Sequence, residues 1–476
     1  MVATTLKQPR STLASHLRSV ADVMPLRVVG QIAAVSGLTL EADNLPLPLG
    51  TTCRISRMSD GFAGASASPC RAQVVGFGRD PKGDARTLLM PLGDIGGVAA
   101  GDSVEGDPGA PRIRCGEGLL GRVVNGFGDP IDDKGPITSH SVADFRPLDA
   151  PPIPPMGRAL VREPLTTGVR AVDALLTCGT GQRMGLFAGP GVGKSTLLSW
   201  ISRHTSADVS VIALIGERGR EVREFLESGL AEGALERCVV VVCTADEPPL
   251  MKIRAAKTAC CIAEHFRDHG KDVLLMMDSI TRLCQAQRQI GLAAKEPPAT
   301  KGFPPSVFAM LPTLLERAGS TGDGSVTGFY TVLVEGDDFN EPIPDAVKGI
   351  TDGHLWLDRS LAERGHYPAI DVLKSVSRVR SDVSDKNHVD AASLVQKAVA
   401  DYAEVEDLVN VGAYVPGSNV AADTAVAVRQ QVTEFLQQTP DQPTNLDSAR
   451  HQLFQLRDTI RAAAHQASQP QPARRN

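Results

Sequence analysis

The sequence predicts an α/β protein in which a central parallel sheet carries a phosphate-binding loop, with a small β-barrel before it and a helical domain after it. Three observations carry that prediction. The stretch Leu186-Phe187-Ala188-Gly189-Pro190-Gly191-Val192-Gly193-Lys194-Ser195-Thr196 joins an apolar strand to a helix through a glycine-rich turn. Around it, short apolar runs alternate with helical patterns, as they do in a parallel sheet covered on both faces. Upstream lie short β-like segments cut by turn residues, and far downstream only helical periodicity remains.

The glycine-rich turn comes first because the chemistry depends on it. Gly189, Gly191 and Gly193 let the backbone turn tightly and aim its amides inward, beside the positive end of the following helix. Val192 and Thr196 complete the loop. Lys194 can then reach the β- and γ-phosphates of a nucleotide, and the Ser195 hydroxyl is placed to bind Mg²⁺. Two positions depart from the usual pattern: Ala188 stands where a glycine is expected, and Pro190 brings no N–H to the cradle. The competing reading is a plain strand-to-helix turn. The strand Arg183 to Phe187 before it and the apolar stripe Leu197, Leu198 and Ile201 after it favour the phosphate loop.

Composition sets the bounds on everything else. A chain of 476 residues is too long for one typical core. Apolar residues at 42% and charged residues at 22% suffice for a packed interior. A net charge of −6 argues against a protein whose main business is coating nucleic acid. The nine cysteines include no C-x-x-C pair, which fits reduced, buried thiols in a cytoplasmic protein. No apolar run approaches the length of a membrane span.

Along the chain, residues 1–26 read as a basic segment with Leu13, Leu17, Val20 and Val23 on one helical stripe, suited to docking on the body or on a partner. Residues 27–100 carry Arg27–Gly30, Leu38–Glu41, Thr52–Ile55, Ala72–Gly76 and Thr87–Pro91, and Ser103–Glu105 follows, strands spaced for a small closed barrel. That segment is poor in aromatics, so a structural collar is expected rather than a base-stacking platform. The proline-rich link from Arg146 to Pro155 should run extended over the surface. Residues 101–385 form the expected nucleotide-binding domain, with strands at Val209–Ile215, Val239–Cys243, Val273–Met277, Phe329–Val334 and His354–Leu357. Residues 386–476 are helical, with Leu394, Ala398, Tyr402, Val405 and Val409 on one face and Leu446, Leu453, Leu456 and Ile460 on another. From Gln466 onward the chain should be a disordered tail.

Ligand chemistry in parallel sheets sits at the carboxyl ends of the strands. Glu217, in Gly216-Glu217-Arg218, follows the strand Val209–Ile215 and is placed to orient the water that attacks a γ-phosphate. The alternative is a surface ion pair between Glu217 and Arg218. Asp278 closes the apolar run Val273–Met277 and suits a carboxylate that holds Mg²⁺ through water; otherwise it caps the next helix. Arg282 follows one turn later and can pair with either carboxylate.

Taken together, these stretches resemble the flagellar type III protein-export ATPases, relatives of the catalytic β subunit of rotary ATP synthases. The resemblance rests on Gly181–Gly189, Leu214–Val222, Glu296–Phe308, Val334–Asp338 and His366–Val379, and covers nearly the whole chain beyond the first two dozen residues. It implies a RecA-like central domain and ATP and Mg²⁺ as ligands. It gives Glu217 the role of catalytic glutamate, with Arg218 beside it, and Asp278 that of the Mg²⁺-linked aspartate. Arg378, in Ser-Val-Ser-Arg, matches the arginine that reaches a neighbouring subunit's γ-phosphate. Tyr367 matches the ring that stacks on adenine, its alternative being a core aromatic, and Tyr414 would close the other side of that pocket.

The resemblance further implies a homohexamer active only when assembled, lying on the cytoplasmic face of the inner membrane. A regulatory, stator-like protein would bind the N-terminal segment. The C-terminal helices would receive export substrates with their chaperones, and the ring would meet the export gate; nucleic acid is not expected. An injectisome ATPase is the nearest alternative. A Rho-type RNA translocase would need a basic, aromatic barrel, and a non-catalytic ring subunit would lack Glu217.

Overall fold

A computed structural model describes residues 28–57, 70–107, 109–138, 142, 144–230, 233–334 and 341–469. The partner-binding stripe expected in 1–26, the segment Glu335–Asp338 and the last residues of the expected tail, 470–476, lie outside the described residues. The chain divides into two compact units, Met1–Arg112 with Pro248–Met251 and Ile290–Pro297, and the remainder.

The first unit is built on a closed six-stranded barrel. Its strands are β1 (Val29–Ser36), β2 (Thr39–Asp43), β3 (Thr52–Ser56), β4 (Cys70–Arg79), β5 (Ala85–Pro91) and β6 (Ser103–Gly106), in the order β1-β2-β5-β4-β3-β6. Period-two alternation aims Ile32, Leu40, Ala42, Cys53, Ile55, Ala72, Val74, Leu89 and Val104 inward, which fills a barrel of this size with side chains. Strand β6 pairs with both β1 and β3, so the barrel closes at residue 106, beyond the boundary at 100 that turn residues suggest.

The second unit holds a nine-stranded sheet. Its strands include β8 (Arg122–Val124), β10 (Arg183–Ala188), β11 (Val209–Glu217), β12 (Cys238–Thr244), β13 (Asp272–Asp278), β14 (Ser325–Leu333), β15 (Gly353–Leu357) and β16 (Val376–Ser377). They run in the order β16-β15-β10-β14-β13-β11-β12-β8, and the short strand Gly319–Ser320 pairs with β14. Pairing is parallel throughout except for β16 and Gly319–Ser320. The central strands are buried almost end to end, which is why β11 and β12 read as unbroken Val, Ile and Leu runs rather than alternating ones. Both edge strands, β8 and β16, escape sequence patterning because each is only two or three residues long.

The proline-rich link is less free than its composition implies. Arg146 and Pro147 belong to β9 (Asp144–Pro147), which pairs with β7 (Arg112–Cys115), and Leu148 is buried. The buried guanidinium of Arg317 donates to the Leu148 carbonyl at 3.0 Å while it grips Glu264 with two hydrogen bonds of 2.6 and 2.9 Å. A backbone stretch short of N–H donors is thus tied down through its carbonyls instead.

The sheet region includes the helices α1 (Lys194–His204), α2 (Pro249–Asp268) and α3 (Ile280–Ala293), and beyond the sheet stand three more, α4 (Lys386–Asn410), α5 (Val420–Leu436) and α6 (Leu446–Ala467). Each starts on a side-chain cap: Asp385, Asn419 and Asn445 accept from backbone N–H groups of the first turn. In α6 the buried face is Ala449, Leu453, Leu456 and Ile460, close to the expected stripe. In α4 it is Ala391, Ala392, Val395 and Ala398, with Tyr402, Val405 and Val409 only half-buried. Small alanines set that face, so a stripe read from the largest apolar residues is rotated from the true one. The polar end of α6 remains helical to Ala467, past the expected onset of disorder at Gln466.

Candidate active site

The phosphate loop leaves β10 and enters α1 (Lys194–His204). Gly193 sits at the start of that helix with φ of 88°, a left-handed conformation that favours glycine, and no side chain caps the helix. The first N–H groups of α1 therefore have no intrahelical partner and face an end carrying partial positive charge. Gly191 also has a positive φ, 79°. Val192 anchors the loop in the core, whereas Pro190 is exposed at the outer bend. Ser195 and Thr196, in the first turn, are exposed, as a hydroxyl serving a ligand must be.

Lys194 gathers the rest of the site. Its ammonium pairs with Asp278 Oδ1 and lies 3.8 Å from Glu217 Oε1. The three side chains come from the loop after β10 and from the ends of β13 and β11, so sheet order alone converges them. All are well buried, with 12%, 6% and 13% of the Lys194, Asp278 and Glu217 side chains exposed. Thr331 on β14, the strand between β10 and β13, donates to Asp278 Oδ1 at 2.6 Å and so fixes that carboxylate. Gly216, with φ of 73°, lets the chain pass Arg282, whose Cβ would stand 2.9 Å from any added Cβ. Arg282 lies on α3 (Ile280–Ala293).

Burial pushes the Glu217 carboxyl above the ordinary range. The neighbouring Asp278 charge and a hydrogen bond with Glu221 add to that rise, and Lys194 and Arg282 oppose it. Glu217 Oε1 is buried with no hydrogen-bond partner in the protein. A buried acceptor left open beside an ammonium and an uncapped helix start is what a polyanion with its metal and an ordered water would complete.

Other expected site residues fall differently. The ring of Tyr367 lies against the loop, 3.7 Å from where a Cβ on Gly193 would stand, and is half exposed. Tyr414 commits its hydroxyl to Asp423 Oδ1 at 2.8 Å, in the turn between α4 and α5. Arg218 turns outward, its side chain 76% exposed and paired with Glu221, so it does not join the Lys194 cluster. Arg378 follows β16 at the other end of the sheet, its backbone N–H bonded to the Asp352 carbonyl at 3.0 Å. Sequence reading passed over Thr331 and Glu221. The first carries no motif, and the second would have been flagged only by its place four residues after Glu217, where the strand gives way to a helix.

Fold and site together define a phosphate-loop ATPase of the kind that carries its nucleotide at the carboxyl end of a parallel sheet. Residues 168–377 match the ATP synthase alpha/beta family, nucleotide-binding domain, and residues 384–455 match the T3SS EscN ATPase C-terminal domain. The chain is 48% identical over 420 residues to the flagellum-specific ATP synthase of Bacillus subtilis, covering 88% of this chain and 93% of that one. It is 45% identical over 458 residues to the type 3 secretion system ATPase of Xanthomonas euvesicatoria, covering 96% and 98%. The assembled ATPase EscN of the enteropathogenic E. coli type III secretion system superposes with a TM-score of 0.82 at 42% identity, over 90% of this chain and all of that one. The chain belongs to the ATP synthase α/β family, within the group of flagellar and type III secretion ATPases. Among the described residues, no helix is long and apolar enough to cross a membrane.

Proposed function

We propose that the chain hydrolyses MgATP at sites completed by neighbouring copies in a homohexameric ring, and that turnover energises protein export through a flagellar type III apparatus. The observation that carries this reading is the placement of Lys194 between Asp278 and the open, buried Glu217 oxygen at an uncapped helix start. In this reading the backbone from Gly189 to Ser195 cradles the phosphates, and the Lys194 ammonium turns from Asp278 to the β- and γ-oxygens. The Ser195 hydroxyl and Asp278 would hold Mg²⁺, which supplies charge neutralisation on the phosphates when bound. Glu217 orients the attacking water, Tyr367 receives the adenine, and Arg378 is lent to the next subunit. Tyr414 and Arg218 support their neighbours from outside the site.

The relatives extend the reading outward. EscN has been described in complex with a central stalk, EscO, and a corresponding stalk-like partner fits a ring of this chain. Residues 1–26 would take the regulatory partner, and α4–α6 the chaperone–substrate complexes, with the ring peripheral to the inner membrane. The test has two arms. Glu217→Gln should retain ATP binding while kcat falls by ~10²–10⁴; full turnover in that variant overturns the catalytic assignment. Complementation of a strain lacking its flagellar ATPase should restore motility, whereas rescue of an injectisome mutant alone would move the chain to that system.

A further inference from the structure

The second unit carries a cluster of metal-ligating side chains that the ATPase site does not use. Asp144 on β9, His265 on α2 (Pro249–Asp268) and His269 just after it each present one ligand atom within 4.8 Å of the others. His265 and His269 are four residues apart, one helical turn, with ring centroids 4.3 Å apart. Asp144 Oδ2 lies 3.2 Å from His265 Nδ1 and 3.7 Å from His269 Nε2.

Two independent details aim this cluster at an ion. The Nδ1 atom of His269 lies 2.7 Å from the His265 carbonyl, which can only accept, so Nδ1 carries the proton and Nε2 presents its lone pair toward Asp144. His265 is 5% exposed, and its Nδ1 is buried without a hydrogen-bond partner although it faces the same carboxylate oxygen. A tetrahedral zinc ion with bonds of about 2.0–2.2 Å sets its ligand atoms roughly 3.3–3.6 Å apart, close to the 3.2 and 3.7 Å that separate Asp144 Oδ2 from the two histidine nitrogens. Asp144 and His269 are about half exposed, which leaves an entry path and room for water at the remaining position.

We propose that Asp144, His265 and His269 form a binding site for a divalent transition-metal ion of the zinc type, clipping β9 to the end of α2. The site is distinct from the nucleotide centre. His269 precedes β13 and Asp278 ends that strand, so roughly 20 Å of sheet separates the two. Imidazole ligands discriminate against Mg²⁺, so the magnesium that accompanies ATP does not compete for the clip. Arg146, the nearest cation on β9, is engaged by Asp268 and leaves the Asp144 carboxylate to the metal.

The test uses the full chain, freed of metal by chelation and kept free of nucleotide, which binds zinc itself. Calorimetric titration with Zn²⁺ should show one site absent from His269→Ala and weakened at least tenfold in Asp144→Asn, with no matching signal for Mg²⁺. Co²⁺ in place of zinc should give the visible bands of a four-coordinate site, lost in the same variants. His269 is exposed, so its alanine variant should fold and hydrolyse MgATP at the wild-type rate. Zn²⁺ binding of equal stoichiometry and affinity in wild type and both variants, or no Zn²⁺ binding above that of Mg²⁺, would overturn the proposal.

Discussion

Arg378 and Lys194 stand at opposite ends of the same sheet. The Arg378 N–H bonds the carbonyl of Asp352, whose own N–H bonds that of Arg183 at the start of β10, while Lys194 lies beyond the far end of that strand. Some 20 Å of strand separates them, more than an arginine can reach. Within one chain Arg378 cannot serve the phosphate loop, and its exposed position suits it to a neighbour's site. Arg378→Ala is therefore expected to lower kcat by ~10³ or more, with nucleotide affinity largely kept. Mixed with wild-type chain, it should depress activity more steeply than simple dilution. Linear dilution would show that each chain works alone.

The raised Glu217 carboxyl predicts a pH dependence. An acid whose folded-state pKa lies above its ordinary value is protonated over a wider range, and a water-orienting carboxylate works only when ionised. Activity should therefore rise with pH through a limb above the ordinary carboxyl range. The protonated Glu217 carboxyl donates a hydrogen bond to Glu221, which contributes to the rise, so Glu221→Ala should move that limb to lower pH. A kcat/KM profile for both proteins checks the sign.

Thr331 acts through Asp278. Thr331→Val keeps the shape of the side chain but removes the 2.6 Å bond to Asp278 Oδ1. The concentration of Mg²⁺ required for half-maximal turnover is expected to rise ~10–100-fold, with Thr331→Ser restoring it. Equal metal dependence in Thr331→Val and wild type would show that the hydroxyl only fills space.

Arg317 and Glu264 form a buried, doubly hydrogen-bonded pair, with 3% and 5% of their side chains exposed. Removing one partner strands the other charge in the core. Arg317→Leu should cost about 3–5 kcal/mol of stability in denaturant unfolding, and the double variant with Glu264→Leu should recover much of it. The single variant should also loosen the proline-rich link, which hydrogen exchange at residues near Leu148 would register.

Legibility in the sequence followed the physics of each element. The phosphate loop and the central strands were plain, because glycine spacing and unbroken apolar runs are local signals. The convergence of Glu217 and Asp278 on Lys194 was legible too, since strand ends in such a sheet face one site. The edge strands β8 and β16 were not, because two or three residues hold no period. Thr331 was invisible for a different reason: its role depends on which strand lies between β10 and β13, a matter of strand order. Arg218, read with its neighbour as part of the chemistry, turned outward because a residue adjacent to Glu217 need not share its direction where strand gives way to helix.

The N–H of Gln438, just past α5, donates to the carbonyl of Tyr367 at 2.9 Å, while the Gln438 side chain accepts from Arg170 N and reaches the Gly168 carbonyl. One glutamine thus joins the segment that carries the tyrosine ring to the Gly168–Arg170 backbone and to the end of α5. If that ring shifts when a base departs, the displacement has a hydrogen-bonded tether to the distal helices rather than only a soft cushion of side chains. Emptying and refilling would then be felt as tugs at the far surface, in step with fuel consumption.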